Sequence, residues 1–164
     1  MWPVDKKKFS ITCAFGKKGP MWASGWHQGV DFGVPVGTPV HAPIGGTVVG
    51  VGMIPAWGPA YGNHSVVVEY AKERYVLFAH LSANVVKVGQ VVKAGDLLGK
   101  SGAEGNVAGP HLHMEVQAHN GYTKGKAIDP QPVLDYQPPV VPKKVAVKPA
   151  PKKPAVKKAV APKK

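Results

Sequence analysis

The sequence predicts a mainly β domain, built as an antiparallel sheet or sandwich and followed by a disordered C-terminal tail. Three observations carry this. Short Val-rich or alternating runs recur between Gly, Pro and Asn residues. No long stretch repeats its apolar residues at helical spacing. After Gln137 the composition changes abruptly, which divides the chain into a domain over residues 1–137 and a tail over 138–164.

Taken in order, His27 and Asp31 stand four apart across a glycine. That spacing suits one helical turn or a loop running into a strand, and the following Phe32-Gly33-Val34-Pro35 rejects the helix. Gly45 to Val51, Ser65 to Tyr70 and Tyr75 to Ala79 read as strands by their β-branched and aromatic content. In His111 to Gln117, polar His111, His113 and Glu115 alternate with apolar Leu112, Met114 and Val116, the period of a half-buried strand. Ile128-Asp129-Pro130 to Leu134 is expected to close the domain. There is no tandem copy, and the only repetition is the Lys/Pro/Ala/Val alternation of the tail.

The chemistry concentrates in His27-Gln28-Gly29-Val30-Asp31 and Gly109-Pro110-His111-Leu112-His113-Met114-Glu115. Together they offer two histidines and a carboxylate, a set that holds zinc and leaves one coordination position for water. Both imidazoles of the second segment point to one face, so one can bind the metal while the other stands beside it as an acid or base. The alternation does not decide which. With Cys13 as the only cysteine, a closed Cys-rich structural site is excluded. A donor set that is mostly imidazole also argues against a hard-ion oxygen cage. Zinc, as one Zn2+ ion, is therefore the expected metal. Cys13 is read as a small buried hydrophobe. Glu115 shares the histidines' face, either as a partner orienting one of them or as a solvated strand residue. His41, His64 and His119 fall in turns or at a strand start and are given no role.

These segments resemble the lysostaphin and LytM-type zinc endopeptidases, which cut peptide cross-links in bacterial cell walls. The resemblance runs through His27 to Phe32, Val36-Gly37-Thr38-Pro39-Val40-His41-Ala42-Pro43, Gly46-Thr47-Val48-Val49 and Tyr61-Gly62-Asn63. It continues through Phe78-Ala79-His80-Leu81-Ser82, Val88 to Asp96, Leu98-Gly99 and the Gly-Pro-His-Leu-His-Met-Glu segment, in the family's order. Phe78 replaces a frequent tyrosine, Ala103-Glu104-Gly105 a frequent Thr-Gly turn, and Tyr70 stands where a histidine is usual. The resemblance implies a fold in which the strands form a groove with zinc at its floor. It implies that His27, Asp31 and His113 hold the metal and that His80 and His111 are catalytic, shuttling protons beside a zinc-polarised water that attacks a peptide carbonyl. Trp57, Tyr61 and Asn63 are the candidate substrate-binding residues. Trp26 is a further aromatic that could line the groove.

The expected function is hydrolysis of a cross-bridge or stem-peptide amide in peptidoglycan. The alternative is a non-catalytic relative that binds cell wall or activates a separate hydrolase. Such relatives typically lose zinc ligands, whereas all five residues are present here.

The tail, Pro138 to Lys164, consists of nine Lys, seven Pro, six Val and five Ala. It has no acidic or aromatic side chain and cannot bury a core. Removing its nine lysines from the net charge of +12 leaves +3 on residues 1–137, so the basicity sits in one arm. The expected partner is a polyanion: anionic wall polymer or a membrane surface first, nucleic acid second. The start, Met1-Trp2-Pro3-Val4-Asp5-Lys6-Lys7-Lys8, lacks the apolar stretch of a signal peptide, and no transmembrane span is expected. A wall hydrolase made without an export signal fits a bacteriophage lysin, released by a holin or carried on the virion.

Overall fold

The computed structural model describes residues 1–122 and 126–139. From Val140 on, the expected tail lies outside the described residues. The described residues form ten strands, a single 3-10 turn at Pro59–Tyr61 and one short α-helix. The strands and the α-helix are β1 (Ile11–Cys13), β2 (Gly29–Phe32), β3 (Pro39–His41), β4 (Gly46–Gly52), β5 (Ser65–Ala71), β6 (Arg74–Ala79), β7 (Leu81–Asn84), β8 (Val91–Val92), β9 (Leu97–Ser101), β10 (Leu112–Gln117) and α1 (Gln131–Leu134). Seven strands make one sheet in the order β1-β2-β10-β6-β5-β4-β8, and three make a smaller one in the order β3-β9-β7. All the pairings are antiparallel.

The expected strands recur with shifts of one residue at their ends, and His27 to Asp31 does enter a strand rather than a helix. Alternation explains the main core. Phe32, Val66, Val68, Val76, Phe78, Leu112, Met114 and Val116 point from the large sheet toward Val40, Leu81 and Leu98 of the small one. Each such side chain, fully buried, stabilises the fold by about 1.5–3 kcal/mol relative to exposure.

The half-buried reading of the last strand is corrected here: every residue of β10 is buried. Its apolar positions face the main core. The opposite face is covered too, because Trp57, Val67, Leu77 and Ala79 form a second apolar cluster beside it, with Tyr61 packed on top. A central strand covered on both faces has no wet side.

The chain leaves the large sheet for the small one at His80, between β6 and β7, with φ of +61°. Histidine is among the side chains that tolerate this left-handed conformation. α1 closes the domain as expected, burying Val133 and Leu134, while Ile128 donates its N–H to the Val116 carbonyl at 2.8 Å. Among the described residues, no helix is long and apolar enough to cross a membrane.

Candidate metal centre and groove

The register of three neighbouring strands builds the centre. Asp31 on β2 pairs with His113 on β10, and His113 pairs with Ala79 on β6. His27 precedes β2, and His111 precedes β10 through a bridge to Gly102. Three donor atoms converge. His27 Nε2 lies 3.1 Å from Asp31 Oδ1 and 3.1 Å from His113 Nδ1, while His113 Nδ1 lies 2.8 Å from Asp31 Oδ1. Donors about 2.0–2.2 Å from a tetrahedral zinc stand roughly 3.3–3.6 Å apart. The triangle needs to open by only a few tenths of an ångström, so the residues fit the ion.

Hydrogen bonds on the far side of each ring fix which nitrogen is free. His27 Nδ1 donates to the Ala14 carbonyl at 3.1 Å, leaving Nε2 for the metal. His113 Nε2 donates to Glu115 Oε2 at 3.2 Å, leaving Nδ1. His80 Nδ1 donates to the Glu104 carbonyl at 2.7 Å, and His111 Nδ1 to the Gly109 carbonyl at 2.9 Å, so each turns Nε2 away from its backbone partner. The His80 and His111 rings lie 4.7 Å apart, and His111 Nε2 is 3.8 Å from Asp31 Oδ1. This is the arrangement in which outer hydrogen bonds orient metal-site imidazoles.

Glu115 resolves toward the first of its two readings. It is buried, accepts from His113 Nε2, and also takes the Tyr61 hydroxyl at 2.8 Å, Gln28 Nε2 at 3.4 Å and the Gln117 amide. A buried carboxylate with this many donors is compensated. Burial, then the Glu115 carboxylate, push the Tyr61 phenol far above its ordinary value, so Tyr61 remains a neutral donor.

The charges follow from the same contacts. Burial acts to raise Asp31, but hydrogen bonds from His113 and His27 outweigh it and hold the carboxyl well below the usual carboxylate range. Burial acts to lower His113, but its bonds to Asp31 and Glu115 win and raise it to about 9. Burial, then the positive charge of His113, pull His80 down to about 3.

A metal bound at His113 Nδ1 would therefore have to displace a proton from that ring. Apparent affinity is expected to weaken about tenfold for each pH unit below about 9. Without metal the sign for stability is opposite. The raised value stabilises the metal-free fold fully below 6.5 and that contribution is lost as pH rises through about 9. Calorimetry at pH 6.5 and 9, with and without chelator, is expected to show the metal's stabilising shift growing with pH.

The centre lies in an open groove of about 980 Å³. Its lining includes Met21 to Ser24 with Trp26, Asn106 to Pro110, and the aromatic rings of Trp57, Tyr61 and Tyr122. Trp22 stacks on the His27 ring at 5.1 Å. The structure thus brings His27, Asp31, His80, His111 and His113 together with Trp26, Trp57 and Tyr61, whereas Asn63 is exposed outside the groove lining. Asn63 donates its backbone N–H to Glu104 Oε2 at 2.9 Å. Sequence reasoning missed Glu104, whose carbonyl orients His80, because a backbone acceptor has no residue-type signal. It also misjudged Cys13, which is half-buried and lines the groove.

Residues 25–130 match peptidase family M23. The chain belongs to that family. The catalytic domain of the antimicrobial peptidase lysostaphin from Staphylococcus simulans shares the fold with a TM-score of 0.68 and 32% identity, over 79% of this chain and 95% of that one. A prophage-encoded M23 protein, EnpA of Enterococcus faecalis, gives a TM-score of 0.64 and 28% identity over 79% of this chain and 95% of that one. In sequence, the cell division protein DipM of Caulobacter vibrioides is 43% identical over 77 residues, 46% of this chain and 12% of DipM. Peptidoglycan DD-endopeptidase ShyB of Vibrio cholerae is 38% identical over 60 residues, 37% of this chain and 14% of ShyB. The matched stretch is thus a small part of these full-length relatives. The mainly β, lysostaphin-like M23 fold is the one expected from the sequence.

Proposed function

We propose that this chain is a zinc-dependent peptidoglycan endopeptidase that hydrolyses a cross-bridge or stem-peptide amide of the bacterial cell wall. The observation that carries the reading is the convergence of His27 Nε2, Asp31 Oδ1 and His113 Nδ1 on one point of an open groove, with two further imidazoles beside it. The relatives named peptidoglycan DD-endopeptidase and lysostaphin support the substrate class.

His27, Asp31 and His113 would hold the zinc. When bound, the ion supplies Lewis acidity, activating water and stabilising charge on the peptide oxygen. The protein's own residues do the rest. His80 and His111 each keep one ring nitrogen tied to a backbone carbonyl, so the other is positioned to receive a proton from the attacking water and return it to the departing amine. Glu115 keeps His113 in the tautomer that frees Nδ1. Trp22, Trp57 and Tyr61 give rigid apolar walls against which an extended peptide can lie.

The test is turbidity loss of purified walls of different cross-bridge chemistry, with new amino termini identified by mass spectrometry. Clearing by wild type, abolished by chelator and by His113→Ala and restored to wild type by zinc, is the expected result. Wall binding without cleavage on every substrate would replace this reading with the non-catalytic one. The basic tail is proposed to hold the enzyme on anionic wall polymer or membrane surface, on the strength of its nine lysines. Equal wall binding by the full chain and by residues 1–137 would remove that part alone.

A further inference from the structure

The strand pairing that builds the metal centre continues one strand further than the ligands require. Cys13 on β1 pairs with Asp31 on β2, Asp31 with His113 on β10, and His113 with Ala79 on β6. Residues in register across neighbouring antiparallel strands present their side chains on the same face. Cys13 therefore stands in the ligands' row. Its Sγ lies within 4.8 Å of the donor atoms of both His27 and Asp31, and it lines the groove.

Resting on the zinc reading above, we infer that Cys13 is an additional donor to the same ion, able to take the position that water needs. Two chemical facts carry this. Thiolate sulfur is a strong ligand for zinc, with a bond of about 2.3 Å against about 2.0–2.1 Å for imidazole nitrogen. A sulfur and a nitrogen on one tetrahedral zinc stand roughly 3.6 Å apart on those lengths, so Sγ, within 4.8 Å of the His27 and Asp31 donors, must approach each of them by up to about 1.2 Å. β1 is three residues long, pairs only with β2 and carries a register irregularity between Ile11 and Cys13, so it has room to adjust.

In the ligation step the thiol releases its proton to solvent, the Zn–S bond forms and the water leaves; nothing is oxidised. Zinc with four protein donors is closed, whereas zinc with three is open to substrate. Cys13 thus acts as a brake built into the edge of the sheet. Peptide binding in the groove, or chemical capping of the sulfur, releases it.

The experiment uses the full chain loaded with cobalt(II), whose visible ligand-field bands report occupancy and whose near-ultraviolet charge-transfer band reports sulfur. It is paired with iodoacetamide labelling of Cys13, unambiguous because the chain has a single cysteine. Wild type is expected to show both sets of bands, Cys13→Ala the ligand-field bands alone, and zinc is expected to slow labelling of wild type by about tenfold or more. Ligand-field bands without a charge-transfer band, together with equal labelling rates with and without zinc, would overturn the Cys13 assignment and leave the three-ligand site standing. No ligand-field bands in either protein would overturn both. The labelling arm needs no variant, so a folding defect in Cys13→Ala does not blunt the test.

Discussion

Removing the imidazole of His80 or of His111 is expected to lower wall-peptide hydrolysis by about 10²- to 10⁴-fold while leaving most of the metal affinity in place. Both rings line the groove, and each spends Nδ1 on a carbonyl, at Glu104 and at Gly109. Neither bond would be needed to hold the metal; both aim the ring. His80 stays neutral because burial, the largest influence on it, pulls it well below its ordinary value, so it offers a lone pair rather than a charge. His113→Ala differs in kind, since it removes one of three converging donors and is expected to abolish metal uptake and hydrolysis together. The measurement is kcat/KM on a soluble cross-bridge peptide beside metal stoichiometry by mass spectrometry. For His80 the better variant is asparagine, which tolerates the backbone's φ of +61° and retains an amide N–H for the Glu104 carbonyl. If either variant hydrolyses the peptide at the wild-type rate with metal bound, that residue does not carry the proton.

Much of this centre is legible in the chain because its donors sit in short segments whose spacing is also their geometry. Asp31 and His113 become register partners through two strands that each announce themselves, one by the Gly-Pro boundary after Phe32 and one by alternation. The two histidines of the last strand are equivalent in period, and alternation could not rank them. The structure distinguishes their surroundings: the Gly109 carbonyl, a backbone atom with no residue-type signal, ties His111, and the Glu115 carboxylate, which the sequence left between two readings, ties His113. The burial of β10 was unreadable for a similar reason. Leu77, Ala79 and Trp57 arrive on its polar face from other parts of the chain, and nothing local foretells them. β1 is three residues long with no clear alternation, so the placement of Cys13 beside Asp31 is a tertiary fact.

Gly29→Ala is expected to cost about 1–3 kcal/mol of stability and to lower metal affinity at least about tenfold, although Gly29 donates nothing to the metal. A Cβ built there would stand 2.4 Å from the Met114 carbonyl oxygen and 2.7 and 2.8 Å from Cε1 and Nε2 of the His113 ring. The carbonyl belongs to the paired strand and cannot swing away as a flexible side chain would, so β2 and β10 must part at the Gly29–Glu115 pair. The ring must also yield, and it can do so only by leaving Glu115 Oε2 or by moving Nδ1 off the point it shares with His27 and Asp31. Gly29 is therefore the floor on which the His113 ring lies. Glu115→Gln separates the two effects. It keeps the shape but removes the carboxylate that fixes the His113 tautomer, so metal affinity is expected to fall by about 10- to 100-fold with a smaller change in packing. Thermal unfolding with and without chelator distinguishes them. Wild type is expected to lose stability when metal is withdrawn, whereas Gly29→Ala is expected to start lower and respond weakly. A Gly29→Ala protein that binds zinc as tightly as wild type would show that the strands can absorb the methyl group without disturbing His113.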